Sequence, residues 1–238
     1  MGVWAVEPWL FGKKMLETVI YLGPSMSRSE ANSILHAEYL PPICRGDLAK
    51  LREEVRTVGI IDGEFFQSLA VSPKEIVAVL EKGIRVFGAA SIGALRAVET
   101  LKFGTIGVGE IFCMFRDGIL DGDDEVALVY DSQSYRHLSE PLVNIRRALA
   151  IALEEKVIDE AEMARLVMHM KSRYFPDRSH KYVQSLCPPL VSFFEGKIMP
   201  DVKYDDARLL LLAIRDMQKD LLGAENGDAE GFTYQTLR

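Results

Sequence analysis

Three runs of apolar, largely β-branched residues stand out in the first part of the chain: ETVIYLG at 17–23, TVGIIDG at 57–63 and IRVFGAA at 84–90. Each closes on glycine or another small residue, and continuous apolar runs of this kind predict strands buried on both faces. Between and after them the period becomes helical, in SRSEANSILHAEY, SPKEIVAVLEKG and IGALRAVETLKFG. Strand and helix therefore alternate, which predicts an α/β fold with a mostly parallel sheet and flanking helices. A Gly- and Asp-rich stretch follows, FGTIGVGEIFCMFRDGILDGDDEVALVYD, whose DEVALVY is a further strand candidate.

The pattern then changes to long helices, EPLVNIRRALAIALEEK, DEAEMARLVMHMKSRYF and DDARLLLLAIRDMQKDLL, with PDRSHKYV and the proline pair at 188–189 as breaks. The expected organisation is a loose N-terminal extension over 1–15, an α/β core over 16–138 and a helical C-terminal region over 139–222. The polar residues 223–238 are expected to be a disordered tail.

With 238 residues and 48% hydrophobic content, the chain can bury a proper core. Its net charge of −7 offers none of the clustered basic charge that nucleic-acid binding needs. Cys44, Cys113 and Cys187 are odd in number and lack CxxC spacing, so neither a disulfide framework nor a cysteine metal site is expected. No stretch reaches the roughly 18 apolar residues of a membrane span. A cytoplasmic protein without cofactor or resident metal is the expectation.

Candidate chemistry begins at Ser91. In IRVFGAASIGALRAVE the serine follows a strand and opens a helix, among Gly88, Ala89, Ala90, Gly93 and Ala94. Ala89-Ala90-Ser91-Ile92-Gly93 is a relaxed form of the G-x-S-x-G nucleophile elbow, and the Ile92 and Gly93 backbone would lie where an oxyanion forms. An ordinary serine N-cap explains the same residues. None of the four histidines, His36, His137, His169 and His180, is evidently placed as a base. Lysine is the other known partner of a catalytic serine. Lys74 lies in SPKE, where Ser72 and Glu75 predict a capping box, and the positive end of a helix disfavours its ammonium form. A solvated surface lysine is the competing reading. On parallel strands Lys74 and Ser91 would share the carboxyl edge of the sheet, where open α/β folds place their sites. Ser25 and Asp62 follow other strands at that edge and would orient substrate or lysine, unless they are simply turn residues.

The acidic run of Asp121, Asp123, Asp124 and Glu125 invites a hard cation, but it lacks the spacing of an EF-hand loop. Pairing with Arg96 and Arg116, or contact with a protein partner, is expected instead. Cys44, in the proline-fixed PPICRGD, has no evident histidine beside it.

Together VIYLGPS, PPICRGD, GIIDGEF, PKEI, GAASIGALRA, FGTIGVGEIF and DGDDEVAL, over roughly residues 19–130, resemble the TfuA-like protein family. Ile92 stands where the family pattern has methionine, a volume-conserving change. The resemblance implies a partner of YcaO enzymes, which activate a peptide amide with ATP so that sulfur replaces its oxygen. It implies hydrolysis of the C-terminal thiocarboxylate of a ThiS-type sulfur carrier to release sulfide, and help for YcaO in binding its peptide. It also implies a Ser–Lys pair, carried over as Ser91 and Lys74, with Lys82 and Lys102 as alternatives for the base. The peptide that receives the sulfur is either a ribosomal natural product or a housekeeping enzyme. Two rival readings stay open: a non-catalytic adaptor that docks on YcaO and presents its peptide, and a generic serine esterase.

Overall fold

The computed structural model describes residues 17–65 and 69–225. The N-terminal extension over 1–15 lies outside the described residues, as does 226–238 of the expected tail, whose residues 223–225 are instead the end of the last helix. The three apolar runs form strands β1 (Thr18–Tyr21), β3 (Thr57–Ile60) and β4 (Arg85–Gly88), flanked by two short edge strands, β2 (Glu38–Leu40) and β5 (Ile106–Gly107). All neighbours pair in parallel in the order β2-β1-β3-β4-β5. The fold is thus α/β, with a five-stranded parallel sheet. Strand order reverses between β1 and β3, and the crevice beyond the carboxyl ends of strands at such a point is where open sheets bind ligands.

Helices α1 (Arg28–Ile34), α2 (Pro73–Leu80), α3 (Ile92–Thr100) and α4 (Glu110–Arg116) alternate with the strands or follow them. The capping box at the start of α2 is present: Glu75 N–H donates to Ser72 Oγ, and Ser72 N–H donates to Glu75 Oε2 at 2.8 Å. Five helices complete the described chain: α5 (Leu142–Glu154), α6 (Glu160–Ser172), α7 (His180–Ser185), α8 (Pro188–Phe194) and α9 (Val202–Glu225). None is long and apolar enough to cross a membrane.

Side chains on opposite faces of each strand feed two cores. Val19, Tyr21, Val58, Ile60 and Val86 pack with Ile76 and Val79 of α2. Ile20, Leu22 and Phe87 pack on the other face with Leu210, Leu211 and Ile214 of α9. The last helix therefore returns to cover the sheet, while α5 to α8 close a separate apolar cluster around Leu149, Leu166 and Leu190.

The structure departs from the sequence expectations in three places. DEVALVY is not a strand; it forms a short 3-10 turn at Asp123–Glu125 and then an irregular segment, because Glu125 is drawn fully inside by Arg146. The segment PDRSHKYV contains the start of α7. The helical pattern SRSEANSILHAEY gives a helix only to Ile34, and its Glu38 and Tyr39 belong to strand β2; the proline pair does mark a break, after α7 ends at Ser185, and it opens α8 because proline lacks only an N–H that the first helical turn leaves unbonded.

Candidate active site

β4 ends at Gly88 and α3 starts at Ile92, so the chain turns within Ala89, Ala90 and Ser91. Ser91 N–H donates to the Ala89 carbonyl at 2.8 Å, and Ala90 holds a φ of +64°. A left-handed conformation at a residue with a Cβ costs on the order of 1–3 kcal/mol and is kept where the surroundings impose it. Gly93 is part of that imposition: a Cβ there would stand 1.8 Å from the Ile60 carbonyl oxygen, so only glycine lets α3 seat on the end of β3. This is the strained strand–turn–helix geometry of a nucleophile elbow.

Ser91 occupies the N-cap position of α3, yet its side chain caps nothing. The residue is 2% exposed, and its hydroxyl has no hydrogen-bond partner among the described residues. The Ile92 N–H likewise has no backbone acceptor among them, while its side chain is buried with Val58 and Ile60. Ser91 lines a cavity of about 240 Å³ together with Asp62, Glu64, Asp123, Tyr130 and Lys203. A free hydroxyl and a neighbouring unbonded N–H are what attack on a carbonyl and stabilisation of its oxyanion require.

Asp62 leaves β3 toward the loop after β1. Its Oδ2 accepts from the N–H groups of Gly23 at 2.9 Å and Ser25 at 3.0 Å, and its Oδ1 accepts from Ser25 Oγ at 2.7 Å. Ser25 thus orients the carboxylate and is not itself among the residues lining the cavity.

Lys203 faces Asp62 from the first turn of α9. Its side chain is 1% exposed; Nζ donates to the Val126 carbonyl at 3.0 Å and lies 4.0 Å from Asp62 Oδ1. Burial holds the Lys203 pKa below the usual lysine value, against the opposing pull of Asp62, Asp201 and Glu140. Its position is set from behind. Asn144 Oδ1 accepts from Val202 N–H at 2.9 Å, and the Asn144 amide donates to Glu140 at 2.7 Å and to Asp201 at 3.2 Å. Asp206, one turn on, accepts from Glu110 and Ile111 N–H, both at 2.8 Å, and so ties α9 to the start of α4. Burial pushes the Asp206 carboxyl up to about 7 against the pull of those two donors.

Lys74 is exposed on α2 and does not line the cavity. No histidine is among the lining residues; His137 Nε2 instead lies 2.9 Å from the Pro24 carbonyl. Asp123 and Asp124 of the acidic run line the cavity, and the partners of the run differ from those expected. Glu125 meets Arg146 at 2.8 and 2.9 Å, Asp124 meets Arg178 at 2.6 Å, and Asp121 meets Lys171. Arg96 pairs with Glu99 and Arg116 with Asp117, because the acidic run folds toward α5 and α6, away from α3 and α4. Among the described residues, no group of three or more His, Cys, Asp or Glu side chains could hold a metal ion.

A family model described as TfuA-like protein matches residues 62–179, about half of the chain, from Asp62 through Ser91 and the acidic wall. The chain belongs to the TfuA-like protein family. No curated protein matches it. TfuA-like proteins are associated in general with YcaO-dependent thioamidation. In this TfuA-like chain the matched segment supplies the serine and the aspartate of the cavity, and Lys203 comes from beyond it. Its sequence signal was present: Lys203 shares the stripe of Ala207, Leu210 and Ile214 on α9, all fully buried. A lysine on the apolar face of a helix is seldom solvated.

Proposed function

We propose that this chain is a serine–lysine hydrolase that cleaves the C-terminal thiocarboxylate of a ThiS-type sulfur carrier protein and releases sulfide for a YcaO enzyme. The observation that carries the reading is the uncapping, unpartnered hydroxyl of Ser91 in a cavity shared with a buried lysine. An N-cap serine would hold the first turn of its helix, and a plain adaptor needs no lysine inside its fold.

In this reading the base is Lys203, with Asp62 and Val126 holding it. Neutral Lys203 takes the Ser91 proton while Oγ bonds to the thiocarboxylate carbon, and Ile92 N–H donates to the developing oxyanion. The C–S bond then breaks and the proton passes from Lys203 to sulfur, so HS⁻ departs. Water next adds to the acyl-serine, Lys203 takes its proton and returns it to Oγ, and the carrier leaves as a carboxylate. Burial favours this cycle because it disfavours the ammonium form, which cannot accept a proton.

The test is sulfide release from a thiocarboxylated carrier by wild type, Ser91→Ala, Lys203→Met and Lys74→Ala. Release is expected to fall by at least about a hundredfold in the first two, the scale of losing a nucleophile or its base, and to persist in Lys74→Ala. Undiminished release by a folded Ser91→Ala would refute the mechanism and favour the adaptor that presents peptide to YcaO. Loss in Lys74→Ala with retention in Lys203→Met would return the base to α2.

A further inference from the structure

Four carboxylates line the cavity of Ser91, those of Asp62, Glu64, Asp123 and Asp124, beside one amine among the described residues, that of Lys203. Two of the four face a basic side chain within the fold, Asp62 that of Lys203 at 4.0 Å and Asp124 that of Arg178 at 2.6 Å. The other two do not. Glu64 accepts from the neutral Tyr130 hydroxyl at 3.3 Å, and Asp123 is exposed; neither has a salt-bridge partner among the described residues. Ser91, a residue 2% exposed whose hydroxyl has no hydrogen-bond partner among the described residues, lines the same space.

An anionic chain end entering such a cavity meets two carboxylates without a salt-bridge partner among the described residues, on a protein of net charge −7. Coulomb repulsion there is relieved if the entering chain brings its own positive charge at the same depth. A small anion could not do this, whereas a peptide tail can, since its side chains follow its C-terminus into the opening. Building on the thiocarboxylate reading above, we infer that Glu64 and Asp123 select a C-terminal peptide tail carrying a basic side chain shortly before its anionic end. The tail then lies with its acyl carbon at Ser91 and its basic group between the two rim carboxylates.

The experiment measures binding without turnover. Glycine-rich peptides with an N-terminal fluorophore and a free C-terminal carboxylate, one carrying arginine and one glutamate upstream, are titrated with the full chain by fluorescence anisotropy. The arginine peptide is expected to bind about tenfold more tightly at low salt, with the ratio shrinking as salt screens the rim. In Glu64→Gln/Asp123→Asn the ratio is expected to fall to near one, and in Asp123→Lys to invert. Equal binding by the wild type would overturn the inference. So would an arginine preference that survives the double substitution, because the net charge of the protein would then account for it. A third peptide, arginine-containing and amidated at its C-terminus, separates the two readings. An arginine preference lost in the double variant but indifferent to amidation supports the rim and removes the anion end at Ser91. Preference for the free carboxylate without preference for arginine does the reverse.

Discussion

Replacing Asp62 tests both the architecture and the chemistry of the cavity, because asparagine and alanine remove different things. Asp62→Ala deletes the acceptor for two backbone N–H groups and for the Ser25 hydroxyl, all in a residue that is 1% exposed. Each buried donor left unbonded costs about 1–3 kcal/mol, so a loss of about 3–5 kcal/mol is expected after partial relaxation. Asp62→Asn keeps an oxygen for both N–H groups and turns its amide toward Ser25 Oγ, whose hydroxyl can rotate to accept. Its stability cost should stay near 1 kcal/mol, and its main effect is on charge. At 4.0 Å the Asp62–Lys203 attraction is worth roughly 4 kcal/mol at an effective dielectric of about 20. Without it, the Lys203 pKa falls further below the ordinary lysine value. The low-pH limb of kcat/KM for sulfide release should therefore move to lower pH by at least about one pH unit. The assays are urea unfolding followed by circular dichroism and a pH–rate profile of both variants. An unmoved limb in a folded Asp62→Asn would refute Lys203 as the base, and equal stability of the two variants would refute the hydrogen-bonding role.

Three further outcomes follow from the geometry. Gly93→Ala forces a methyl against the Ile60 backbone carbonyl, which cannot rotate away, so thermal unfolding should show a loss of about 3 kcal/mol or more; an unchanged Tm would refute the seating of α3 on β3. Asp206, raised to about 7 from an unfolded value of 3.8, binds more protons folded than unfolded between those two values, so its contribution falls as pH rises through that window and is flat above it. The stability of wild type relative to Asp206→Asn should accordingly drop by up to roughly 3 kcal/mol between pH 5 and 8 in urea melts, and a pH-independent difference would contradict the burial argument. Arg178→Met removes a buried guanidinium from the Asp124 carboxylate, the Asp124 carbonyl and the Met170 carbonyl. About 3–5 kcal/mol should be lost, and KM should rise more than kcat falls as the acidic wall loosens; an effect confined to kcat would contradict that wall role.

What the sequence by itself determined about this protein is what short-range physics governs. The runs 17–23, 57–63 and 84–90 became β1, β3 and β4 because continuous apolar residues can be buried only from both sides. The Ser72–Glu75 capping box and the small-residue turn around Ser91 are local as well, since their partners lie within a few positions. Strands β2 and β5, of three and two residues, are too short to carry a period, and their pairing comes from the neighbouring strand. Tertiary structure alone decided the rest of the site. Whether Ser91 caps its helix or faces a cavity depends on a strained Ala90 and a close contact with β3. Which lysine stands beside Asp62 depends on α9 returning across the sheet, anchored by Asn144 and Asp206. Lys74 has the more suggestive sequence neighbourhood, but Lys203 is in the cavity, because burial is a property of the packed chain and not of a residue's neighbours along it.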